Sequence, residues 1–261
     1  MKLPINAILA MLTILILSCS GDSTKLGKQV AGTEKLLSDF PHWWDYHSKN
    51  IKFYKHFTPF DTDAQVIPLD SFMQKYSTGE YAVLKYTQED TAIQYQLKKL
   101  DVDTEETIRN QLRATAYSDF ADFLKIGKPL QGFGYKTIDG QIFDAATTGN
   151  KFVVMKFWFI GCLPCIAEMP ELNEIVASNR ARKDVVFLSI AMDPRSALQK
   201  FLKNRKFDYA VVGDKKSYLN DTLNINAYPT HMLIDKHGRV AGVCSNVNDL
   251  KEMLAAHAIS H

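Results

Sequence analysis

The stretch Phe157-Trp158-Phe159-Ile160-Gly161-Cys162-Leu163-Pro164-Cys165-Ile166-Ala167-Glu168-Met169-Pro170 constrains this chain more than any other. An apolar run over 152–159, broken only by Lys156, ends in a glycine and opens into Cys-x-Pro-Cys. Ile166, Met169, Leu172, Ile175 and Val176 then recur at spacings of three and four, a helical pattern. A strand that delivers two cysteines to the first turn of a helix has the geometry that thiol-disulfide exchange needs. Unpaired N–H groups and the positive helix end stabilise a thiolate there, which makes Cys162 a nucleophile near neutral pH. Cys165, one turn on, can resolve the mixed disulfide. Pro170 is expected to kink the helix that carries the pair.

The competing reading of Cys-x-x-Cys is half of a structural zinc site. Such sites need four ligands, usually from a second Cys-x-x-Cys or a closely spaced His pair. Beyond this pair the chain offers only Cys19, Cys244 and scattered histidines, so redox chemistry is the better reading.

At 261 residues the chain has room for two domains, and 46% hydrophobic with 23% charged residues is ordinary for a folded protein. A net charge of +2 with dispersed basic residues gives no reason to expect nucleic acid. The first residues read as a targeting segment. Lys2 precedes an apolar run over 5–17, interrupted only by Asn6 and Thr13 and too short for a confident membrane span. It ends Ile16-Leu17-Ser18-Cys19, which resembles the bacterial lipoprotein signal: residues 1–18 would be removed and Cys19 lipidated. An ordinary cleaved signal or a short anchor is the alternative. Each of these takes the body of the protein out of the cytoplasm, where disulfide traffic is expected.

Residues 19–32 read as a tether and 33–126 as a small α+β domain. Within it, 81–86 and 93–97 have strand composition about a polar turn at 88–91, and 104–123 reads as a helix with Thr104 as its N-cap. Residues 127–261 form the second domain. A hairpin around Asp139-Gly140 is followed by a strand at 152–159, a helix at 164–179 and a strand at 185–191. A helix at 196–204, a short strand at 209–212 and a helix at 217–223 come next. Strands at 230–235 and 239–243 and a helix at 248–256 close the chain. The fold class is α/β, with βαβ followed by ββα around a central mixed sheet.

Phe157-Trp158, Cys162 to Cys165 and Glu168-Met169-Pro170 together resemble the thioredoxin superfamily, specifically the envelope-anchored reductases of the TlpA/ResA type. The resemblance runs to the C-terminus and does not cover residues before about 127. It implies a thioredoxin-like fold and a redox disulfide between Cys162 and Cys165; no metal, nucleotide or flavin site is visible in the sequence, so no cofactor is expected. It implies a cis-proline at Tyr228-Pro229-Thr230 that faces the disulfide and holds substrate peptide. It also implies that Glu168 serves Cys165 as acid/base; the plainer reading of Glu168 is an acid favoured by the helix dipole. The implied partners are protein disulfide clients, apocytochrome c among them, and a membrane thiol donor, with membrane attachment through the lipid at Cys19. The direction of electron flow is not fixed by the motif itself.

Two departures matter. Gly161 stands where many relatives carry tryptophan, which is expected to open the surface around Cys162. Lys156 stands where thioredoxin has a buried aspartate. Lys156 either snorkels out at the strand's end or pairs with Glu168 beneath the cysteines.

Cys244 is read as a buried structural thiol, and Trp43-Trp44 as a buried aromatic pair rather than a partner-binding patch. Two other function classes remain in view. A thiol peroxidase would have threonine where Phe159 precedes Cys162 by three. A copper-carrying module would use Cys162, Cys165 and His231, but with a different cysteine spacing.

Overall fold

The computed structural model describes residues 25–87 and 92–259; the leader, Cys19 and the turn expected at 88–91 lie outside them. In the N-terminal half, strand β1 (Lys28–Gln29) is followed by helix α1 (Phe40–Asn50), β2 (Thr58–Phe60), α2 (Leu69–Ser77), β3 (Tyr81–Thr87), β4 (Ile93–Lys99) and α3 (Glu106–Phe123). Helix α1 starts where the Asp39 carboxylate accepts the His42 N–H at 2.9 Å, with Pro41 in the first turn. The four strands lie in the order β1-β3-β4-β2, with β3 and β4 antiparallel and β2 parallel to β4.

Aromatic rings fill this core. Phe53, Phe57, Phe72, Tyr76 and Tyr95 pack with centroids 4.6–6.5 Å apart. Tyr95 is wholly buried, and its hydroxyl is satisfied: it accepts the Lys52 N–H at 2.8 Å and donates to the Asn50 carbonyl at 3.0 Å. Helix α3 begins two residues later than expected, and Thr104 does not cap it. Thr104 is drawn into a turn whose N–H donates to the Asp101 carbonyl at 3.1 Å, and no side chain caps the helix.

The C-terminal half opens with the hairpin β5 (Tyr135–Lys136) and β6 (Ile142–Phe143), then a single turn α4 (Ala145–Thr148). Strand β7 (Phe152–Trp158) leads into α5 (Leu163–Ala167) and α6 (Met169–Ser178). These are followed by β8 (Val185–Ala191), α7 (Arg195–Leu202), β9 (Ala210–Val212) and a π-helical turn, Tyr218–Thr222. Strands β10 (Thr230–Ile234) and β11 (Val240–Cys244) and helix α8 (Val247–Ala256) complete the chain. The five-stranded sheet has the order β11-β10-β7-β8-β9, with β7, β8 and β9 parallel and β10 antiparallel to both of its neighbours. This is the thioredoxin-like arrangement.

Strand β7 is central and covered on both faces, which is why its sequence is a nearly unbroken apolar run. Val154 packs with Leu172 and Ile175 of α6 and Leu250 of α8, while Val153 and Met155 face Leu188, Ile190 and Met232. The single helix expected at 164–179 is two. Pro170 has no N–H to give the Ile166 carbonyl, and the break falls at Glu168.

The two halves meet along β11 and α8. Lys52 donates to the Asp249 carboxylate at 2.5 Å, both side chains being 11% exposed, and also to the Ser48 carbonyl. Gly242 lies at this contact with no room for a side chain: a Cβ there would come within 3.1 Å of Tyr54 Cβ and 2.5 Å of Met253 Sδ. Gly127, at φ +75°, donates its N–H to Val240 and turns the chain from one half into the other.

Removing one partner of a buried pair strands the other. Lys52→Met should therefore lower the free energy of unfolding by about 2 kcal/mol, and Lys52→Met with Asp249→Leu should recover part of it. Denaturant titration of the two variants measures this; equal stability of Lys52→Met and wild type would make the ion pair incidental to the docking of the halves.

Candidate active site

Cys162 sits between the end of β7 and the start of α5, at the N-cap of that helix, and is joined to Cys165 in a disulfide. The Cys165 backbone N–H points at the Cys162 sulfur, 3.3 Å away, so a donor is already aimed where thiolate charge would develop. The loop before it is pinned by the Asp193 carboxylate, which accepts the Ile160 N–H at 2.8 Å. Cys162 is 5% exposed and Cys165 is fully buried. The opening expected from Gly161 is not there. The Phe159 ring lies 3.3 Å from where a Gly161 side chain would begin, and the disulfide packs in one cluster with Phe159, Ile160 and Tyr228. Leu163, 80% exposed, marks the outer rim.

The Tyr228–Pro229 bond is cis. The Tyr228 ring meets Phe159 edge-on at 5.5 Å, which brings the proline loop against the active-site loop. Thr230, first in β10, is paired in register with Phe157, and its hydroxyl donates to the Ala227 carbonyl at 2.7 Å.

Beneath the helix lies a buried ionic cluster. Lys156 is fully buried at the fifth position of β7 and does not snorkel. It donates to Glu168 Oε2 at 2.7 Å. The same oxygen takes a hydrogen bond from His231 Nε2 at 3.1 Å, and Oε1 accepts the Val247 N–H at 3.0 Å. The carboxylate therefore links the α5–α6 junction to β7, β10 and the first residue of α8.

Strand register makes the cluster possible. His231 lies opposite Lys156 on one side and Cys244 on the other, and Lys156 lies opposite Ser189. These four residues form one polar row across β8, β7, β10 and β11, on an otherwise apolar face.

Burial pushes the Glu168 carboxyl up, but the His231 and Lys156 hydrogen bonds and charges outweigh it and hold the group below its ordinary value. Burial lowers the Lys156 ammonium, with Glu168 opposing the shift. Burial also lowers His231 and the neighbouring lysine charge adds to the effect, while the Glu168 hydrogen bond and charge oppose it; with Glu168 ionised, Nε2–H is the donor to the carboxylate. Cys244 is buried and carries a free thiol pushed well above its usual range by burial and then by Asp249.

The structure thus places Tyr228 in one cluster with Cys162 and Cys165, with the cis Pro229 and Thr230 next along the chain, and pairs Lys156 with Glu168. Two participants were missed in the sequence. His231 reads alone as a core histidine, and Val247 contributes only its backbone. Their partnership with Glu168 depends on register and on the docking of α8, which no local pattern carries. His231 is also poorly available to copper, since it is fully buried and its Nε2 is engaged with Glu168. Among the described residues, no group of three or more His, Cys, Asp or Glu side chains is placed to hold a metal ion.

Residues 126–243 match the AhpC/TSA family. The thiol-disulfide oxidoreductase ResA of Bacillus cereus is 28% identical over 117 residues, 45% of this chain and 68% of that protein. ResA of Geobacillus thermodenitrificans is 25% identical over 153 residues, 55% of this chain and 87% of the relative. Among solved structures, StoA from Bacillus subtilis aligns with a TM-score of 0.41 at 22% identity, covering 46% of this chain and 94% of that one.

The charge cluster makes a signed prediction. A carboxyl held below its ordinary value of 4.5 stabilises the fold above that pH, and the contribution is lost as pH falls through the folded value. The stability advantage of wild type over Glu168→Gln should therefore shrink on acidification below about pH 4.5. Lys156→Met should raise the Glu168 carboxyl pKa and cost about 3 kcal/mol. Carboxyl-carbon NMR titration and denaturant unfolding check both; an unmoved Glu168 titration in Lys156→Met would show that the lysine does not govern the carboxylate.

Proposed function

We propose that this chain, whose residues 126–243 form a thioredoxin-like domain matching the AhpC/TSA family, is a thiol-disulfide oxidoreductase that reduces protein disulfides in the bacterial cell envelope. The observation that carries the reading is the Cys162–Cys165 disulfide at a helix start, with a backbone N–H directed at the outer sulfur. The likeness to proteins named thiol-disulfide oxidoreductase ResA supports it.

In the reduced protein the Cys162 thiolate attacks one sulfur of a client disulfide. The client's other sulfur leaves with the electron pair of the broken bond and takes a proton. Cys165, deprotonated, then attacks Cys162 and expels the second client thiol, which closes the intramolecular disulfide. A donor dithiol must return two electrons and two protons for the next turn; a membrane thiol carrier is the donor this reading assigns. Apocytochrome c is the client class that the family resemblance names.

Glu168 suits the resolving step on two counts. It lies three residues beyond Cys165, on the same helical side. An ionised carboxylate offers about four acceptor sites; among the described residues Lys156, His231 and Val247 use three, and this reading gives the fourth to the Cys165 proton. The cis Tyr228–Pro229 loop holds client backbone beside Cys162 in this reading.

Lipidation at Cys19 anchors the protein to the membrane, with 19–32 as tether and 33–126 as a separate N-terminal domain. Among the described residues, no helix is long and apolar enough to cross a membrane. The peroxidase reading finds no support at the site, where Phe159 stands three residues before Cys162.

The test is turnover of a small disulfide by the dithiol-regenerated protein. Cys162→Ser should abolish it, and Cys165→Ser should accumulate mixed disulfides on Cys162 in cells. Glu168→Gln should slow resolution by about a hundredfold while leaving the first attack nearly intact. Turnover that survives Cys162→Ser would end the proposal. In the same cells, Cys19→Ser should move the protein from the membrane to the soluble fraction, and unchanged fractionation would rule out the lipid as anchor.

A further inference from the structure

A cleft of about 880 Å³ separates the two halves and touches residues of both. One wall is α3, with Asn110, Arg113 and Tyr117, together with Trp44 of α1; the opposite side includes Ala227, Thr230 and Ser245. We propose that this cleft is the docking groove for an extended segment of the client polypeptide, about six residues long, that flanks the cysteine being reduced. The inference rests on the oxidoreductase reading and adds how a client is selected.

Length is the first argument. The cleft follows α3 from Asn110 to Phe123, thirteen residues along, or about 20 Å at 1.5 Å each. An extended chain rises about 3.3 Å per residue, so about six residues fill it. Position is the second. The cleft is lined by Asn226, Ala227 and Thr230, which flank Tyr228 and Pro229, and the Tyr228 ring packs in the same cluster as Cys162 and Cys165. A segment lying in the cleft therefore leads to the redox pair.

The lining supplies the chemistry. Helix α1 divides its tryptophan pair: Trp43 is 1% exposed in the core, while Trp44 is 46% exposed in the cleft. Tyr117 on α3, 60% exposed, lines the same cleft. Large exposed aromatics that line one concavity fit an apolar or aromatic client side chain. The charges of the cleft are mostly spent. Lys52 pairs with Asp249, Asp122 with Lys125, and Asp119 takes the Tyr76 hydroxyl and lies against His47. Arg113 is exposed and makes no ion pair among the described residues, so an acidic client residue is its complement.

The probe is a synthetic peptide whose single cysteine is capped as a mixed disulfide with thionitrobenzoate. It carries a six-residue extension containing one Phe and one Glu, made in N-terminal and C-terminal versions. N-acetylcysteine capped in the same way is the control, too small to reach the cleft. The Cys162 thiolate of the reduced protein attacks the cysteine sulfur, and thionitrobenzoate leaves as the coloured thiolate. At least one extended peptide should show a kcat/KM about tenfold above the control. Trp44→Ala combined with Tyr117→Ala should bring that peptide down to the control's rate and leave the control unchanged. Arg113→Glu should slow the Glu peptide, and exchanging its Glu for Lys should restore the rate. No advantage for either extension, or equal loss on peptide and control, would overturn the docking groove while small-disulfide exchange stood. Failure of the wild type with the control as well would overturn the oxidoreductase reading and this inference with it.

Discussion

The site depends on one largely buried carboxylate. Glu168 sits at the break between two helices, where no intrahelical requirement fixes its side chain, and the ionised group is held by three donors from three different elements. A lone buried charge would be costly, and so would a lone buried lysine; together, with hydrogen bonds on the remaining lone pairs, they become tolerable. The contact fixes the redox helix to the central strand, to the strand that follows the cis-proline, and to the last helix. The arrangement of the cysteines relative to the proline loop is a consequence of where this carboxylate is tied.

The last helix connects that cluster to the rest of the chain. Val247, its first residue, donates to Glu168, and Asp249, two residues on, receives Lys52 from the N-terminal half. The N-terminal half is therefore clamped to the same helix end that completes the carboxylate's shell. The aromatic core of that half is independent of the redox site, but its docking places α3 and Trp44 opposite the proline loop and so creates the cleft between them.

Much of the thioredoxin-like half was legible because its signals are strong and local. The continuous apolar run of β7 announces a strand covered on both faces, and the cysteines mark the strand-to-helix passage. Pro170 warned of a bend, though not that Glu168 would be the breaking point. The pairing of Lys156 with Glu168 was accessible from cost alone, since a lysine in the middle of an apolar strand needs a counter-charge. His231 was not accessible in this way, because its role comes from lying opposite Lys156 in an antiparallel register. The N-terminal half was read less well. Its β1 and β2 are two and three residues long, and α2 follows Pro68 without a side-chain cap, so neither pattern nor capping signal was available. Trp43 and Trp44 show the same limit: adjacent residues on one helix are divided between core and cleft by a packing that composition does not reveal.

The proposal on which the function rests is that Cys162 is an activated thiolate in the reduced protein, because it caps a helix start with the Cys165 N–H directed at its sulfur. Ultraviolet titration of thiolate absorbance in the fully reduced protein tests it most directly, with Cys162→Ser to assign the transition. The account predicts a first thiolate transition well below the free-cysteine value of about 8.5, absent in Cys162→Ser. No thiolate appearing until pH 8.5 or above, or an early transition that persists in Cys162→Ser, would contradict it.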